Sequence, residues 1–514
     1  MSRDFSLAQV IGRAALMRGG DPAVIDGDRR LSWTDFADRI ARAAGLLRMI
    51  GMAEGDRVAM LALNSHQYLE FFFAAPWGGG IFTPLNFRLA PAELGAILRN
   101  AGAEILIVDA AHAHLVAELR DLAPLREVLV IDQSYEALLA TIAPIPAADR
   151  AGDDIAALFY TSGSTGVPKG VMHSHTNIVM AGFTCIPMFG LNEESVVLIS
   201  GPLFHVGATG MCIPALIAGA TVVLLSKFDP GQVIEAIETH RVTTMTMVPT
   251  MLRMVLDHPD ARHRNLTSVR TVTFGGAPMP ASLLAEALTV VGSARFIHCY
   301  GMTETTASCS SLPGHYLLPD YAGQGRANSI GRALTGLDMM IVDAEDRPVP
   351  PGVSGEILVR GPVVMKGYWN QPEVTARTLR GGWLHTGDVG TMDERGFFFI
   401  VDRLKDMIIT GGENVYSREV EEAIYSYPGV AQVAVIGIPD ERWGEAVHAI
   451  VSASNGAPLD PEALLAHCRG LIAGYKCPRS IDVRREPLPL NGANKINKPA
   501  LRQPFWQNRD SRIV

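Results

Sequence analysis

Apolar runs of strand length alternate with longer amphipathic stretches over most of the chain, up to about residue 330. The runs are too short for helices, whereas the stretches between them have the length of ordinary helices. This alternation is typical of parallel sheets with crossover helices. Predicted strands lie at residues 57–63, 105–108, 128–131, 155–159, 196–199, 221–225 and 269–273, and predicted helices include residues 34–50, 92–101 and 231–240.

The pattern changes beyond about residue 330. Short apolar runs at 339–342, 355–360 and 397–401, separated by Gly and Pro, predict a small, mostly antiparallel β subdomain. After Asp402 the pattern becomes mixed again, which indicates a separate α+β domain followed by a tail of about a dozen residues. In this domain we predict helices at 419–425 and 461–468 and strands at 433–438 and 447–452.

Residues 195–226 contain no Asp, Glu, Lys or Arg and are long enough to cross a membrane. The segment is interrupted by several Gly and Pro residues, among them Gly201, Pro202 and Pro214. These residues favour a strand, a loop, a buried helix and a second strand within a globular core. We therefore predict no membrane span.

Composition narrows the class of protein. Of the 514 residues, 48% are apolar and 19% are charged, which indicates a packed chain rather than a disordered one. The formal net charge is -9 and no basic run is present, so nucleic acid is not an expected partner. The cysteines form no C-x-x-C pair and the N-terminus has no signal-peptide pattern, which predicts a cytoplasmic protein.

Residues 160–171, YTSGSTGVPKGV, follow a predicted strand and carry four hydroxyl residues and three glycines within ten positions. Backbone N–H groups and hydroxyls of such a loop can donate to phosphate oxygens, and Lys169 supplies a cation. An ordinary Ser/Gly-rich surface loop is the alternative. Because no Gly-Lys-Ser or Gly-Lys-Thr occurs, a conventional P-loop enzyme is disfavoured.

This loop resembles the signature loop of the adenylate-forming superfamily, which includes acyl-CoA and aryl-CoA synthetases, nonribosomal peptide adenylation domains and firefly luciferase. Further motifs follow in the family's order, and the resemblance covers about residues 20–500. They are LSWTDF (31–36), FTPLN (82–86), PLFHVG (202–207), FGGAP (274–278), YGMTE (300–304), TGD (386–388), DRLKD (402–406), GGENV (411–415) and Lys495.

The resemblance implies an α/β fold with a large N-terminal domain over residues 1–402, built from two βα-layered subdomains and a small β-barrel subdomain. A hinge at residues 403–405 and a small mobile α+β domain over 406–514 would follow. The implied enzyme is an AMP-forming acid–CoA ligase that uses ATP, Mg²⁺ and coenzyme A. It would first form an acyl-adenylate and pyrophosphate, and the thiol would then displace AMP.

The family's roles map onto individual residues of this sequence. Glu304 would hold Mg²⁺ and Thr303 would contact the α-phosphate, because two anions meet in the first step and their charge must be neutralised. Lys495 would reach the carboxylate and the α-phosphate, although Asn494 stands where the family has glycine. The implied ATP and AMP site comprises Thr161, Ser162, Gly163, Ser164, Thr165, Gly166, Lys169, Gly276, Ala277, Pro278, Tyr300, Gly301, Met302, Thr303, Asp388 and Arg403.

The second step would require rotation of the C-terminal domain about Lys405, which stands at the family's hinge position. Residues implied for coenzyme A are Gly411, Gly412, Trp443, Tyr475 and Lys476, with Arg479 as a further basic residue. Cys299 is interpreted as a pocket-wall residue, because this reaction needs no enzyme thiolate. Lys498 lies close to Lys495 in sequence and is not assigned a role.

The acyl pocket is predicted around residues 205–212, 248–251, 275–279 and 302–308, with His205 as its one strongly polar member. Small residues and methionines there indicate an apolar slot for a medium or longer fatty acid or an aryl acid. Two alternatives stay open, an adenylation enzyme that loads a separate carrier protein and a luciferase-like oxygenase. The sequence leaves a homodimer open as well.

Overall fold

The structure is a computed structural model. It describes residues 5–161, 168–275, 279–292, 294–403, 406–411, 413–453, 458–490 and 496–506, with the backbone alone at residues 281, 319, 320, 322, 403 and 414. The chain divides into two compact units. Unit 1 comprises Met1–Met339 and Val359–Leu384, and unit 2 comprises Met340–Leu358 and His385–Val514.

Unit 1 contains two sheets with helices between their strands. Its strands are β1 (Pro22–Asp26), β2 (Arg29–Ser32), β3 (Arg57–Leu61), β4 (Ile81–Pro84), β5 (Ala103–Asp109), β6 (Glu127–Ile131), β7 (Ile155–Thr161), β8 (Lys169–Ser174), β9 (Val196–Ile199), β10 (Thr221–Leu224), β11 (Thr244–Thr246), β12 (Thr271–Gly275), β13 (Arg295–Gly301), β14 (Ser308–Leu312) and β15 (Arg332–Ala333). Its helices are α1 (Leu7–Arg18), α2 (Trp33–Met49), α3 (His66–Trp77), α4 (Pro91–Ala101), α5 (Val116–Leu122), α6 (Tyr135–Thr141), α7 (His175–Phe189), α8 (Val206–Ile217), α9 (Pro230–His240), α10 (Pro249–Asp257), α11 (Ala281–Val291) and α12 (Pro372–Thr378).

The first sheet has the order β6-β5-β3-β4-β7-β8, and the second has the order β15-β14-β13-β12-β11-β9-β10-β1-β2. Most neighbours pair in parallel, whereas β7/β8, β13/β14, β14/β15 and β1/β2 are antiparallel. Apolar side chains of the parallel strands and their covering helices form the buried cores of both sheets. This architecture confirms the α/β class that the alternating pattern predicts.

Most of the remaining strands belong to unit 2. A four-stranded sheet has the order β16-β17-β18-β19, with β16 (Asp338–Val342), β17 (Gly355–Arg360), β18 (Leu384–Met392) and β19 (Phe398–Arg403). A second sheet contains β20 (Ile408–Thr410), β21 (Glu413–Val415), β22 (Val430–Asp440), β23 (Gly444–Ala453) and β24 (Ser480–Arg484), and it is accompanied by α13 (Ser417–Tyr425), α14 (Pro461–Leu471) and α15 (Lys498–Trp506).

The uncharged segment at 195–226 folds as predicted into β9, a loop, the buried helix α8 and β10. Among the described helices, none combines the length and the apolar composition needed to cross a bilayer. The predicted start of the C-terminal tail is wrong, because helix α15 continues to Trp506. The indole Nε1 of Trp506 donates a hydrogen bond to the Gly437 carbonyl oxygen at 3.1 Å, which ties the end of that helix to β22.

A buried ion pair joins three helices of unit 1. The Glu70 side chain in α3 is fully buried, and its carboxylate accepts hydrogen bonds from Arg39 Nε of α2 at 2.6 Å and from the Tyr135 hydroxyl of α6 at 3.0 Å. Arg39 also binds Glu136 at 2.8 Å and 2.9 Å. A buried carboxylate of this kind is tolerated only while its partners remain.

We expect Arg39→Leu to lower the free energy of unfolding by roughly 3–5 kcal/mol, because Glu70 would lose its charged partner inside the core. The measurement is urea denaturation at neutral pH. Arg29→Leu is the matched control, since Arg29 binds Glu136 at 2.8 Å from a side chain that is 40% exposed and should cost at most about 1 kcal/mol. Equal losses in the two variants would contradict the interpretation.

Candidate active site

The β7/β8 hairpin presents the two ends of the predicted phosphate loop. Thr161 is the last residue of β7 and pairs with Lys169, the first residue of β8. Residues 162–167, which include Ser162, Gly163, Ser164, Thr165 and Gly166, lie outside the described residues. The structure therefore places Lys169 at the exit of the loop, on the edge strand of its sheet.

Residues 362–371 run beside β8 and connect it to the segment that contains Glu304. Trp369 N–H donates a hydrogen bond to the Gly170 carbonyl at 2.7 Å. Met172 N–H donates to the Gly367 carbonyl, and Lys366 N–H donates to the Met172 carbonyl, both at 2.9 Å. On the other side, Met365 N–H donates to the Glu304 carbonyl at 2.9 Å. Two motifs that are far apart in sequence are thus held against one backbone segment.

Close packing along this segment requires glycine at two positions. A Cβ atom at Gly170 would lie 2.9 Å from Tyr160 Cζ and 3.3 Å from Trp369 Cβ. Gly367 has φ +133°, and a Cβ there would lie 2.5 Å from Thr375 Cγ2. Side chains at these positions would push the 362–371 segment away from the hairpin.

Glu304 lies in a short 3₁₀ turn, Thr303–Thr305, directly after β13. Its side chain is buried, and Oε1 accepts a hydrogen bond from the Tyr368 hydroxyl at 2.7 Å. The Lys169 ammonium lies 5.0 Å from the centre of the Tyr368 ring. The structure therefore brings the predicted cation, Lys169, and the predicted metal ligand, Glu304, to the same tyrosine.

Thr303 is held by a buried histidine. His173 in β8 donates a hydrogen bond from Nε2 to the Thr303 carbonyl at 2.8 Å. Burial lowers the pKa of His173 to about 4, so the ring is neutral near pH 7 and Nε2 carries its proton. A neutral histidine therefore holds the Thr303 backbone without adding a positive charge.

The Glu304 carboxylate fits the divalent cation that the family uses. One oxygen is occupied by the Tyr368 hydroxyl, and among the described residues the other, Oε2, has no hydrogen-bond partner. Mg²⁺ is bound in such sites by one or two carboxylate oxygens together with water and substrate phosphates. Glu304 is therefore the described residue that would hold Mg²⁺.

The structure also shows where three other predicted residues of unit 1 lie, namely Tyr300, His205 and Cys299. Tyr300 is buried near the end of β13, where Gly301 and Met302 follow it. His205 is the exposed N-cap of α8, and its Nδ1 accepts a hydrogen bond from Gly207 N–H at 3.0 Å. Burial raises the pKa of the Cys299 thiol, which agrees with its predicted lack of a nucleophilic role. Gly276, Ala277 and Pro278 lie outside the described residues.

Two residues of the predicted ATP and AMP site, Asp388 and Arg403, belong to unit 2. Asp388 in β18 is buried and lies opposite Arg403 of β19 in the strand register. The Asp388 N–H donates to Thr386 Oγ1 at 3.1 Å, which fixes the backbone of the TGD motif. The side chain of Arg403 and the whole of Lys405 lie outside the described residues.

Trp443 is the centre of an aromatic and basic cluster in unit 2. The guanidinium groups of Arg442 and Arg479 lie 4.7 Å and 4.8 Å from the Trp443 ring centre. Gly411, with φ +61°, donates its N–H to the Trp443 carbonyl at 2.8 Å, and a Cβ there would lie 2.7 Å from Trp443 Cε3. Gly412 lies outside the described residues.

Two lysines near this region are engaged in ion pairs. Lys476 Nζ contacts both carboxylate oxygens of Glu419, at 2.7 Å and 2.8 Å, and the neighbouring Tyr475 is exposed. Lys498 Nζ contacts Glu421 at 2.7 Å and donates to Ser417 Oγ at 2.7 Å. The Lys498 ammonium is therefore occupied within unit 2, whereas Lys495 lies outside the described residues.

Sequence reasoning missed Tyr368, His173 and Arg442. The Gly367-Tyr368-Trp369 run, an aromatic pair directly after a glycine, is the one pattern that could have drawn attention to Tyr368. Nothing in the sequence pairs a tyrosine with a glutamate 64 residues away, because only the fold brings them together.

Comparison with known proteins identifies the family to which the chain belongs. The AMP-binding enzyme family model matches residues 12–369, and the AMP-binding enzyme C-terminal domain model matches residues 419–495. A feruloyl-CoA synthase from Amycolatopsis sp is 43% identical over 498 residues, covering 96% of this chain and 98% of that protein. The fatty acid–[acyl-carrier-protein] ligase ScoC from Streptomyces coeruleorubidus is 35% identical over 493 residues, covering 94% and 93%.

A solved structure agrees along nearly the whole chain. The o-succinylbenzoate CoA synthetase MenE from Bacillus subtilis, in complex with its acyl-adenylate intermediate, has a TM-score of 0.85 and 30% identity over 96% of this chain and 97% of that one. These matches confirm the predicted superfamily, the fold class and the enzyme class, an AMP-forming acid–thiol ligase that uses ATP, Mg²⁺ and coenzyme A. The chain belongs to the AMP-binding enzyme family, within the adenylate-forming superfamily.

Proposed function

We propose that this ligase converts an aryl carboxylic acid, of the hydroxycinnamate class, into its coenzyme A thioester. The observation that carries the proposal is that Lys169 and Glu304 contact the same tyrosine, Tyr368, where the triphosphate of ATP would bind. The aryl preference rests on the feruloyl-CoA synthase, whose 43% identity exceeds the 36% of the fatty acid–CoA ligase FadD8 from Mycobacterium tuberculosis.

In the first half-reaction the acid carboxylate attacks the α-phosphorus of ATP, and pyrophosphate leaves. Lys169 would bind phosphate oxygens at the loop exit, and Thr303 would contact the α-phosphate from the turn that His173 holds. Glu304 would hold Mg²⁺, which supplies charge neutralisation on the triphosphate when it is bound. Lys495 would bridge the carboxylate and the α-phosphate.

In the second half-reaction the thiol attacks the acyl carbon and AMP leaves. Arg442 and Arg479 would bind phosphates of coenzyme A, and Trp443 would support the nucleotide or the pantetheine arm. The Lys476 ammonium is paired with Glu419, so a phosphate of coenzyme A would compete with that carboxylate. The proposed main basic contacts are therefore the two arginines beside Trp443, of which Arg479 is also predicted from the sequence.

Rotation of a C-terminal domain over residues 406–514 about a hinge at 403–405 would exchange the residues used in the two steps. Lys405 would be the hinge residue, and Asp388 with Arg403 would hold the ribose in both. Gly411 and Gly412 would let the pantetheine arm pass close to the backbone. The proposed location is the cytoplasm, and a homodimer stays a prediction.

Loading of a separate carrier protein is the second candidate function. It is favoured by the ScoC match, a ligase named for an acyl-carrier-protein acceptor. The arginine pair beside Trp443 favours free coenzyme A, because its nucleotide carries the phosphate groups that arginine recognises. No described contact gives specific support to the luciferase-like alternative.

We expect acid-dependent, Mg²⁺-dependent pyrophosphate release to be fastest with hydroxycinnamic acids and to turn over only when coenzyme A is present. A panel of aryl, fatty and amino acids, each with and without coenzyme A, measures this directly. Release that turns over equally without coenzyme A would favour carrier loading. A preference for fatty acids would contradict the aryl proposal while leaving the ligase intact.

We expect Lys495→Ala to slow acyl-adenylate formation by roughly 10²–10³, because a charged contact to the reacting groups is lost. Thioester formation from supplied acyl-adenylate should change little, since the lysine acts only in the first step. Lys498→Arg is the control, because it keeps the charge that binds Glu421. Equal loss of both half-reactions in Lys495→Ala would overturn the assignment.

We expect Arg479→Ala to raise the KM for coenzyme A about tenfold, which corresponds to the loss of one charge-assisted hydrogen bond worth about 1.5 kcal/mol. Pyrophosphate release in a single turnover without coenzyme A should stay unchanged. Arg469→Ala removes an exposed arginine of α14 and serves as the control. An unchanged KM in Arg479→Ala would remove this residue from the coenzyme A site.

A further inference from the structure

Tyr368 is buried and contacts two residues of opposite charge that belong to the proposed adenylation site. Its hydroxyl donates to Glu304 Oε1 at 2.7 Å, and its ring faces the Lys169 ammonium at 5.0 Å. Its side chain is 6% exposed. One side chain therefore contacts both the predicted metal ligand and the predicted phosphate-binding cation.

The backbone around Tyr368 is held on both sides. Tyr368 forms an isolated antiparallel bridge with Val171 of β8, and its N–H donates to Thr375 Oγ1 at 2.8 Å. The next residue, Trp369, donates to the Gly170 carbonyl at 2.7 Å. The backbone at Tyr368 is thereby fixed relative to β8, the strand that begins at Lys169.

The Tyr368 hydroxyl is the donor in its hydrogen bond to Glu304, because an ionised carboxylate can only accept. A carboxylate that accepts this hydrogen bond on Oε1 has its rotation restricted and its Oε2 turned to the other side. Hydrogen bonds of this kind to a metal-ligating carboxylate orient the ligand, and their loss weakens metal binding.

Tyr368 contacts Glu304 through its hydroxyl and Lys169 through its ring face. Within the described part of the chain no ion pair joins these two side chains, although both contact the same residue. A cation over an aromatic face keeps its N–H donors available for an anionic ligand. A direct pair between Lys169 and Glu304 would instead occupy the donor and the acceptor that phosphate and Mg²⁺ need.

We propose that Tyr368 is a positioning residue of the adenylation site, whose hydroxyl orients Glu304 for the divalent cation and whose ring faces the Lys169 ammonium. The inference rests on the proposed function for its role in turnover. Its effect on cation binding in the ATP complex can be measured without turnover.

The test is Tyr368→Phe, which keeps the ring and removes the hydroxyl. The matched control is Tyr135→Phe, because Tyr135 is also a buried tyrosine that donates to a buried glutamate, Glu70, at 3.0 Å. Both variants lose one buried Tyr–Glu hydrogen bond. Only Tyr368→Phe should alter the cation site, and thermal unfolding of both variants reports the purely structural cost.

The primary readout is Mn²⁺ affinity of the full chain with ATP and no acid, measured from the electron paramagnetic resonance signal of free Mn²⁺, with ATP alone subtracted. We expect Tyr368→Phe to weaken enzyme-dependent Mn²⁺ binding by 10- to 100-fold and Tyr135→Phe to leave it unchanged. Equal Mn²⁺ affinity in Tyr368→Phe and the unsubstituted protein would overturn the proposal. No enzyme-dependent Mn²⁺ binding in the unsubstituted protein would overturn it as well.

A second readout connects the inference to turnover. Pyrophosphate release by Tyr368→Phe should need about tenfold more Mg²⁺ for half-maximal rate and recover at saturating Mg²⁺, whereas thioester formation from supplied acyl-adenylate should be unchanged. A rate that falls at all Mg²⁺ concentrations alike would contradict a positioning role. If no acid in the panel gives pyrophosphate release by the unsubstituted protein, the proposed function fails, and the Mn²⁺ measurement still decides the role of Tyr368.

Discussion

The backbone hydrogen bonds of residues 362–371 are the interaction on which the proposed adenylation site depends. They join the edge strand that begins at Lys169 to the turn that carries Glu304, through donors at Met365 and Trp369. Side chains alone would place these residues loosely, because lysine and glutamate have several rotatable bonds. With the backbone fixed, Tyr368 contacts both charged groups, Glu304 through its hydroxyl and Lys169 through its ring.

The charged residues of the structure follow two different arrangements. Glu70, Lys476 and Lys498 are in ion pairs with partners on neighbouring elements, so their charges are used within the protein. Lys169, Arg442 and Arg479 instead lie over aromatic rings. An aromatic partner attracts a cation through its face and uses none of its N–H donors, which leaves those donors for a phosphate. Lys476 combines both arrangements, since its ammonium also lies 5.8 Å from the Tyr475 ring centre. A cation over a ring is found outside the proposed sites as well, at Arg57 and Arg360.

The fold was predictable wherever local pattern and burial agree. The helix predicted at residues 34–50 forms as Trp33–Met49, because Ser32 and Asp35 make a capping box and one apolar face is buried. The segment at 195–226 was predictable because Gly and Pro interrupt it at helix and strand ends. The start of the C-terminal tail was not predictable, because α15 depends on contacts such as the hydrogen bond from Trp506 to Gly437, which local sequence does not encode.

The sequence by itself determined the order of strands and helices and the family motifs, because these depend on residue type and spacing along the chain. Through the motifs it predicted Lys169, Thr303, Glu304 and Asp388 as site residues. The sequence also predicted Lys476 as a ligand for coenzyme A. Only the tertiary structure shows that the Lys476 ammonium forms an ion pair with Glu419. Tyr368, His173 and Arg442 came from the structure alone. Their roles depend on hydrogen bonds and ring contacts whose geometry is decided by the packing of separate elements, and residue spacing holds no information about such contacts.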